Sequence, residues 1–194
     1  MKKLGIVALL LSFSIPVAAE VLIADAGWEL SIRMRKQNPQ FHRVDHWMFP
    51  PNPVPKRSLP RAYVTLENPN AAAEHAVLLR YCVDARLRRI GTSADGVWTV
   101  PFLNDEKRVP VVGGGKKFDV ALPLNRVALD GYLKKMYRAG FWPDAFRVRV
   151  MIEPRPGETL DRRVRETTLP VAWRPEPRAT TPEEETDERS ETAP

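Results

Sequence analysis

Three histidines, one cysteine and a glycine run are the features of this 194-residue chain whose types and spacing invite a chemical reading. His42 and His46 stand four apart, a spacing at which two imidazoles on a helix share one face and can hold a metal, with His75 as a distant third ligand. The prolines that crowd the chain just after Trp47 argue against a long helix there, and no cluster of acids and histidines completes a cage. No metal site and no cofactor are expected. Nucleophilic catalysis needs a serine or cysteine beside a base that a third group orients. Cys82 lies in the middle of an apolar run, and neither Gly-x-Ser-x-Gly nor Ser-x-x-Lys occurs. Val111 to Lys117 has the look of a phosphate loop, but Pro110 stands where its first glycine belongs, so a hairpin turn is the better account. Asp84, Asp95 and Asp105 fall at expected strand ends and turns, where acids serve the local backbone. The reading is of a chain that is not an enzyme, with a hydrolase kept as the least favoured alternative.

Two surfaces could bind instead. Phe41, Trp47, Met48 and Phe49, followed by Pro50, Pro51, Pro53 and Pro55, gather bulky apolar side chains where no strand periodicity is available to bury them. Either this arm folds back to cap one end of the domain, or it anchors a protein partner. Under the anchor reading, alanine at Trp47 and Phe49 abolishes partner capture and leaves the melting temperature near that of the parent chain. Arg86, Arg88, Arg89, Arg147, Arg149, Arg162, Arg163 and Arg165 lie on strand segments that could share one face. Such a face is either merely solvated or a site for an anionic glycan or lipid headgroup, with Trp98 or Trp142 as a stacking platform.

Compartment follows from the two ends. Met1-Lys2-Lys3, the apolar run Leu4 to Ile15, Pro16 and the small residues Val17-Ala18-Ala19 read as a secretory signal over 1–19, cleaved after Ala19. The product is expected in the periplasm or outside the cell, with no membrane anchor after cleavage and no nucleic acid to meet. Cys82 then has no intramolecular partner, and its strand position makes it a buried small hydrophobe. The net charge of +6 is unevenly spread: from Arg174 onward three arginines face seven acids, a net of −4. That proline- and glutamate-rich stretch, 174–194, is too polar to bury and is expected to be disordered.

These residues need a scaffold, and the scaffold is expected to be 20–173. His75 to Asp84 is apolar on both alternating faces, with Val77, Leu79, Tyr81 and Val83 on one side and Ala76, Leu78 and Cys82 on the other. A strand of that kind sits at the centre of a sheet, covered on both sides. Trp28, Leu30, Ile32 and Met34 alternate with polar residues, as do Ala62, Val64 and Leu66, and Phe146, Val148, Val150 and Ile152. Asn68-Pro69-Asn70 favours a turn, and Arg108 to Val112 and Lys116 to Leu122 read as a hairpin across Gly113-Gly114-Gly115. From Lys36 to Pro60 the pattern fails, leaving a proline- and aromatic-rich arm.

One helix is expected over about 125–139, capped by Asn125 and closed by Gly140, with Leu129, Tyr132, Leu133, Met136 and Tyr137 at helical spacing and Asp130 paired with Lys134. It either covers an open end of the domain or stands apart. About eight short strands with turns between them predict an antiparallel β-sandwich of immunoglobulin or fibronectin type with one inserted helix. The function expected is an exported, non-catalytic binding or assembly module of a bacterial-type cell envelope, docking a protein partner through the aromatic arm; the alternative is a carbohydrate or anionic-polymer binder that uses the arginine face.

Overall fold

A computed structural model describes residues 21–32, 38–52, 58–154, 160 and 162–173. The expected signal at 1–19 and the acidic segment 174–194 lie outside the described residues. Among the described residues the chain is mainly β, in two sheets with one helix. One sheet has four strands, β1 (Leu22–Ile32), β2 (His42–Val44), β4 (Ser58–Asn68) and β8 (Lys116–Pro123), in the order β2-β1-β4-β8. The other contains β3 (Trp47–Met48), β5 (Glu74–Arg89), β6 (Val97–Trp98), β7 (Leu103–Val112), β9 (Phe141–Ile152) and β10 (Val164–Ala172). Its order is β3-β10-β9-β5-β6, and β7 also pairs with β5.

The alternation read from the sequence decides which side chains meet between the sheets. Ile23, Trp28, Ala62, Val64, Leu66, Val120 and Leu122 face inward from the first sheet; Leu79, Val83, Phe146, Val148, Val150 and Leu169 face them from the second. Burying alternate residues of both sheets removes apolar area from water at about 25 cal/mol per Å2, which makes this layer the main source of stability. Tyr81 also points inward, and its hydroxyl donates to Pro123 O at 2.9 Å. Burial, with the Asp105 carboxylate beside it, pushes that phenol far above its ordinary pKa.

Several expectations change at this level. β5 is indeed the middle strand, with β9 on one flank and β7 on the other. Its second face is not covered by another layer, however: Leu78 and Cys82 are half-buried and Ala76 is exposed. Cys82 is therefore a half-buried free thiol and not a core residue.

The predicted hairpin across Gly113-Gly114-Gly115 does not form. β7 pairs with β5 from Glu74↔Val112 to Val83↔Leu103, whereas β8 pairs with β4, so the glycine run carries the chain from one sheet to the other. The reason is a seat made by the Asn68-Pro69-Asn70 turn. Asn68 is fully buried and donates from Nδ2 to Ala72 O and Val112 O, while its Oδ1 accepts from Asn70 N. Gly115 N donates to Asn70 O at 2.7 Å, and a Cβ on Gly114 would lie 2.0 Å from Ala71 O. Only a glycine lets these backbones come so close.

The arm is ordered by both sheets. His42, Arg43 and Val44 pair with β1, and Trp47 and Met48 run parallel to β10 opposite Val171 and Ala172. It thus crosses from the edge of one sheet to the edge of the other. Pro60, expected to lie in the unpaired arm, belongs to β4 opposite Leu30; on the other flank the β8 ladder begins only at Arg61. Residues 33–37 and 53–57 lie outside the described residues.

The helix α1 (Arg126–Arg138) forms where its caps predict. Asn125 Oδ1 accepts from Ala128 N at 3.2 Å, and Gly140 takes the chain out at φ +82°. Asp130 pairs with Arg126 at 3.4 Å instead of Lys134. Leu129 and Leu133 are its buried residues, Tyr132 stacks on Phe102 with centroids 4.4 Å apart, and Tyr137 meets Trp142 edge-on at 6.0 Å.

Candidate functional site

The arm and α1 come together over one end of the sandwich and leave a pocket of about 540 Å3 between them. Its apolar wall combines Phe41, Trp47 and Phe49 from the arm, Leu59 and Pro60 at the start of β4, Leu129 and Leu133 from α1, and Trp142 at the start of β9. Sequence determines why these rings stay put. Trp47 and Phe49 are two apart on an extended segment and lie on one side of it, stacked at 4.0 Å with 7° between their planes. Phe49 then tilts onto Trp142 at 5.0 Å, and the Trp142 indole donates to Phe49 O at 2.8 Å. Phe49 N donates in turn to Ala172 O at 2.8 Å.

Charged side chains gather among the pocket's lining residues: Arg61, Lys107, Arg126 and Lys134, against Asp130. Arg61 is bound to Glu29 at 2.6 Å and lies over the Phe41 ring at 3.7 Å, and Arg126 holds Asp130. Lys107 and Lys134 are exposed and form no ion pair among the described residues. With its carboxylate already bound to a guanidinium, this lining offers a ligand apolar contact and positive charge, not an acid and base pair.

Of the four aromatic-arm residues expected to anchor a partner, Trp47 and Phe49 are 4% and 3% exposed and belong to the core. Their burial supports the capping alternative. Phe41 is half-buried against Arg61, and only Met48, at 45%, stands out.

The arginine face divides in the same way. Arg147 binds Asp84 through two hydrogen bonds of 2.9 Å, Arg149 adds a third of 2.8 Å, and the Asp84 side chain is 0% exposed. The Asp84 carboxylate raises the Arg147 guanidinium still further above its ordinary pKa. Arg86 binds Asp144 at 2.7 Å, Arg147 lies over Trp98 at 4.1 Å, and Arg88 lies over Trp173 at 4.1 Å. Arg89 is exposed at the end of β5. Arg163 and Arg165 do not join this face. Arg163 is buried and donates to Glu153 O, while Arg165 sits opposite the core residue Val150, so it leaves the strand on the inner side and donates to Ile23 O. Trp142, buried at the pocket wall, offers no stacking platform; Trp98 is half-buried under its arginines. The histidines stay apart from a metal-binding arrangement: among the described residues no group of three or more His, Cys, Asp or Glu side chains could hold an ion, and His46 instead contacts Asp45 at 2.6 Å.

The pocket's far wall leaves no signal in the sequence. Leu129, Leu133 and Lys134 were legible as a helix face, but nothing local says that this face meets the arm, and Lys107 carried no signal.

No family model matches the chain, and no curated protein matches it. A solved structure described as the crystal structure of a protein from Archaeoglobus fulgidus is similar at 14% identity, with 58% of this chain and 84% of that one covered and a TM-score of 0.32.

Proposed function

We propose that this chain is an exported, non-catalytic binding module of a bacterial-type cell envelope whose ligand seats an apolar group in the pocket between the arm and α1. The observation that carries the reading is the pocket itself: about 540 Å3, walled by aromatic and aliphatic side chains from four separate elements, with cations among its lining residues. That size and lining fall in the range of pockets that accept small apolar ligands, about 300–1,000 Å3. The arm acts here as a wall, so a protein partner engages it by inserting an apolar group and not by gripping Trp47 and Phe49 from outside. Export rests on the basic and apolar N-terminal segment with its small-residue end. The reading as an immunoglobulin or fibronectin type of sandwich rests on the two mainly antiparallel sheets packed over one core. The arginine-face alternative has less support, because Arg86, Arg147 and Arg149 are already bound to carboxylates.

A photoreactive amino acid at Lys134 tests this in intact cells. The expected result is an adduct, of protein or of lipid, that is missing when the same amino acid replaces Val127, an 82% exposed residue of α1 outside the pocket. Equal labelling from both positions, or none from Lys134, would overturn the proposal.

A further inference from the structure

We infer that the occupant of this pocket is a long-chain alkyl carboxylate, held with its chain against the aromatic and leucine wall and its carboxylate at Lys107 and Lys134. The inference rests on the pocket reading above and names the chemistry of its ligand.

Charge complementarity is the first argument. Arg61 and Arg126 have carboxylate partners, which leaves Lys107 from the edge strand β7 and Lys134 from α1 as two cations at one pocket with no counter-ion among the described residues. An occupant with one anionic end completes that arrangement, and a cationic one meets repulsion. The lining supplies the second argument. Apart from Asn52, Ser58 and the charged side chains, its residues are apolar. A peptide threaded along such a wall would bring a backbone N–H and C=O every residue, and burying those groups without partners is costly. An alkyl chain has no polar group along its length and satisfies the wall at every methylene. Third, the wall is built before the ligand arrives: Trp47, Phe49 and Trp142 are locked by ring contacts and by the Trp142 indole bond, so little ordering is left to offset binding.

The experiment is titration calorimetry of the full mature chain with dodecanoate, dodecan-1-ol and dodecylammonium, each below its aggregation threshold, at pH 7.5. Dodecanoate is expected to bind about tenfold more tightly than dodecan-1-ol, and the ammonium more weakly than either. Shortening the carboxylate to decanoate weakens binding about tenfold. The double variant Lys107→Gln, Lys134→Gln alters two exposed side chains and is expected to bring dodecanoate to the affinity of the alcohol while leaving the melting temperature unchanged. Ala121→Phe, which narrows the pocket from β8, is expected to abolish binding of all three; if that variant fails to fold, competition between dodecanoate and the alcohol for one site in the parent chain gives the same answer. Equal affinity of acid and alcohol, or dodecanoate binding that ignores the two glutamines, overturns the carboxylate assignment but leaves the pocket reading intact. A protein adduct at Lys134 in cells with no dodecanoate binding does the same. Failure of every amphiphile together with the absence of any Lys134-specific adduct overturns both.

Discussion

Replacing Phe49 with alanine separates an arm that is part of the core from one that merely rests on it. The ring is 3% exposed, lies flat on Trp47 at 4.0 Å and tilts against Trp142 at 5.0 Å. Phenylalanine-to-alanine changes in a packed interior cost about 3–5 kcal/mol, the aromatic contacts included. One side of this ring borders the pocket, so fewer contacts are lost than at a site enclosed all round, and the two backbone bonds, from Phe49 N to Ala172 O and from the Trp142 indole to Phe49 O, do not need the side chain. The expected loss is therefore near the low end, about 3 kcal/mol, or about 10 °C in melting temperature for a domain of this size. Urea unfolding followed by circular dichroism measures it, with Met48→Ala, at an exposed position beside it, expected within about 0.5 kcal/mol of the parent. Amide exchange at Phe49 supplies the second readout. A loss below about 1 kcal/mol would refute the core assignment, and so would parent-like stability with free exchange at Phe49, which would make the arm a detachable strap.

Three further outcomes follow from the geometry. Asp84→Asn removes the buried counter-ion shared by Arg147 and Arg149; since Arg147 keeps Glu166 at 3.6 Å and Arg149 is 42% exposed and can turn to water, the loss expected in urea unfolding is about 3 kcal/mol, the low end for a broken buried pair. Tyr81 is held neutral by burial and by Asp105, so its folded pKa lies above the ordinary value of 10.0. The unfolded chain releases that proton first, and stability present below pH 10 falls as the pH rises beyond it; Tyr81→Phe, followed by thermal melts from pH 8 to 11, is expected to flatten this alkaline decline while lowering stability at pH 8 through loss of the bond to Pro123 O. Gly131 lies in the interior of α1, exposed, with nothing within 4 Å of a built Cβ, so Gly131→Ala is expected to stabilise the chain by about 1 kcal/mol, read as a rise of about 2–4 °C.

The sequence by itself determined much of what depends on near neighbours. Alternation placed Trp28, Val64, Leu79, Val83, Val148 and Val150 on buried faces; Asn125 and Gly140 bounded the helix; Asn68-Pro69-Asn70 made a turn. These are relations between residues two to four apart, and backbone geometry enforces them locally. Tertiary structure decided what each element meets. Gly113 to Gly115 reads as a hairpin loop until the Asn68 turn beneath it is seen, and then it is a passage between sheets. Arg163 and Arg165 are the same residue type as Arg147 and Arg149, yet Arg163, just before β10, is buried against Glu153 O, and strand register sends Arg165 to the inner side. Trp47 and Phe49 form no long alternating run, so only their docking on β10 and Trp142 shows that they are buried. The pocket is the furthest of these from local signal: β7 supplies Lys107 and α1 supplies Lys134, and they line one space only because two sheets, a strap and a helix converge at one end of the sandwich.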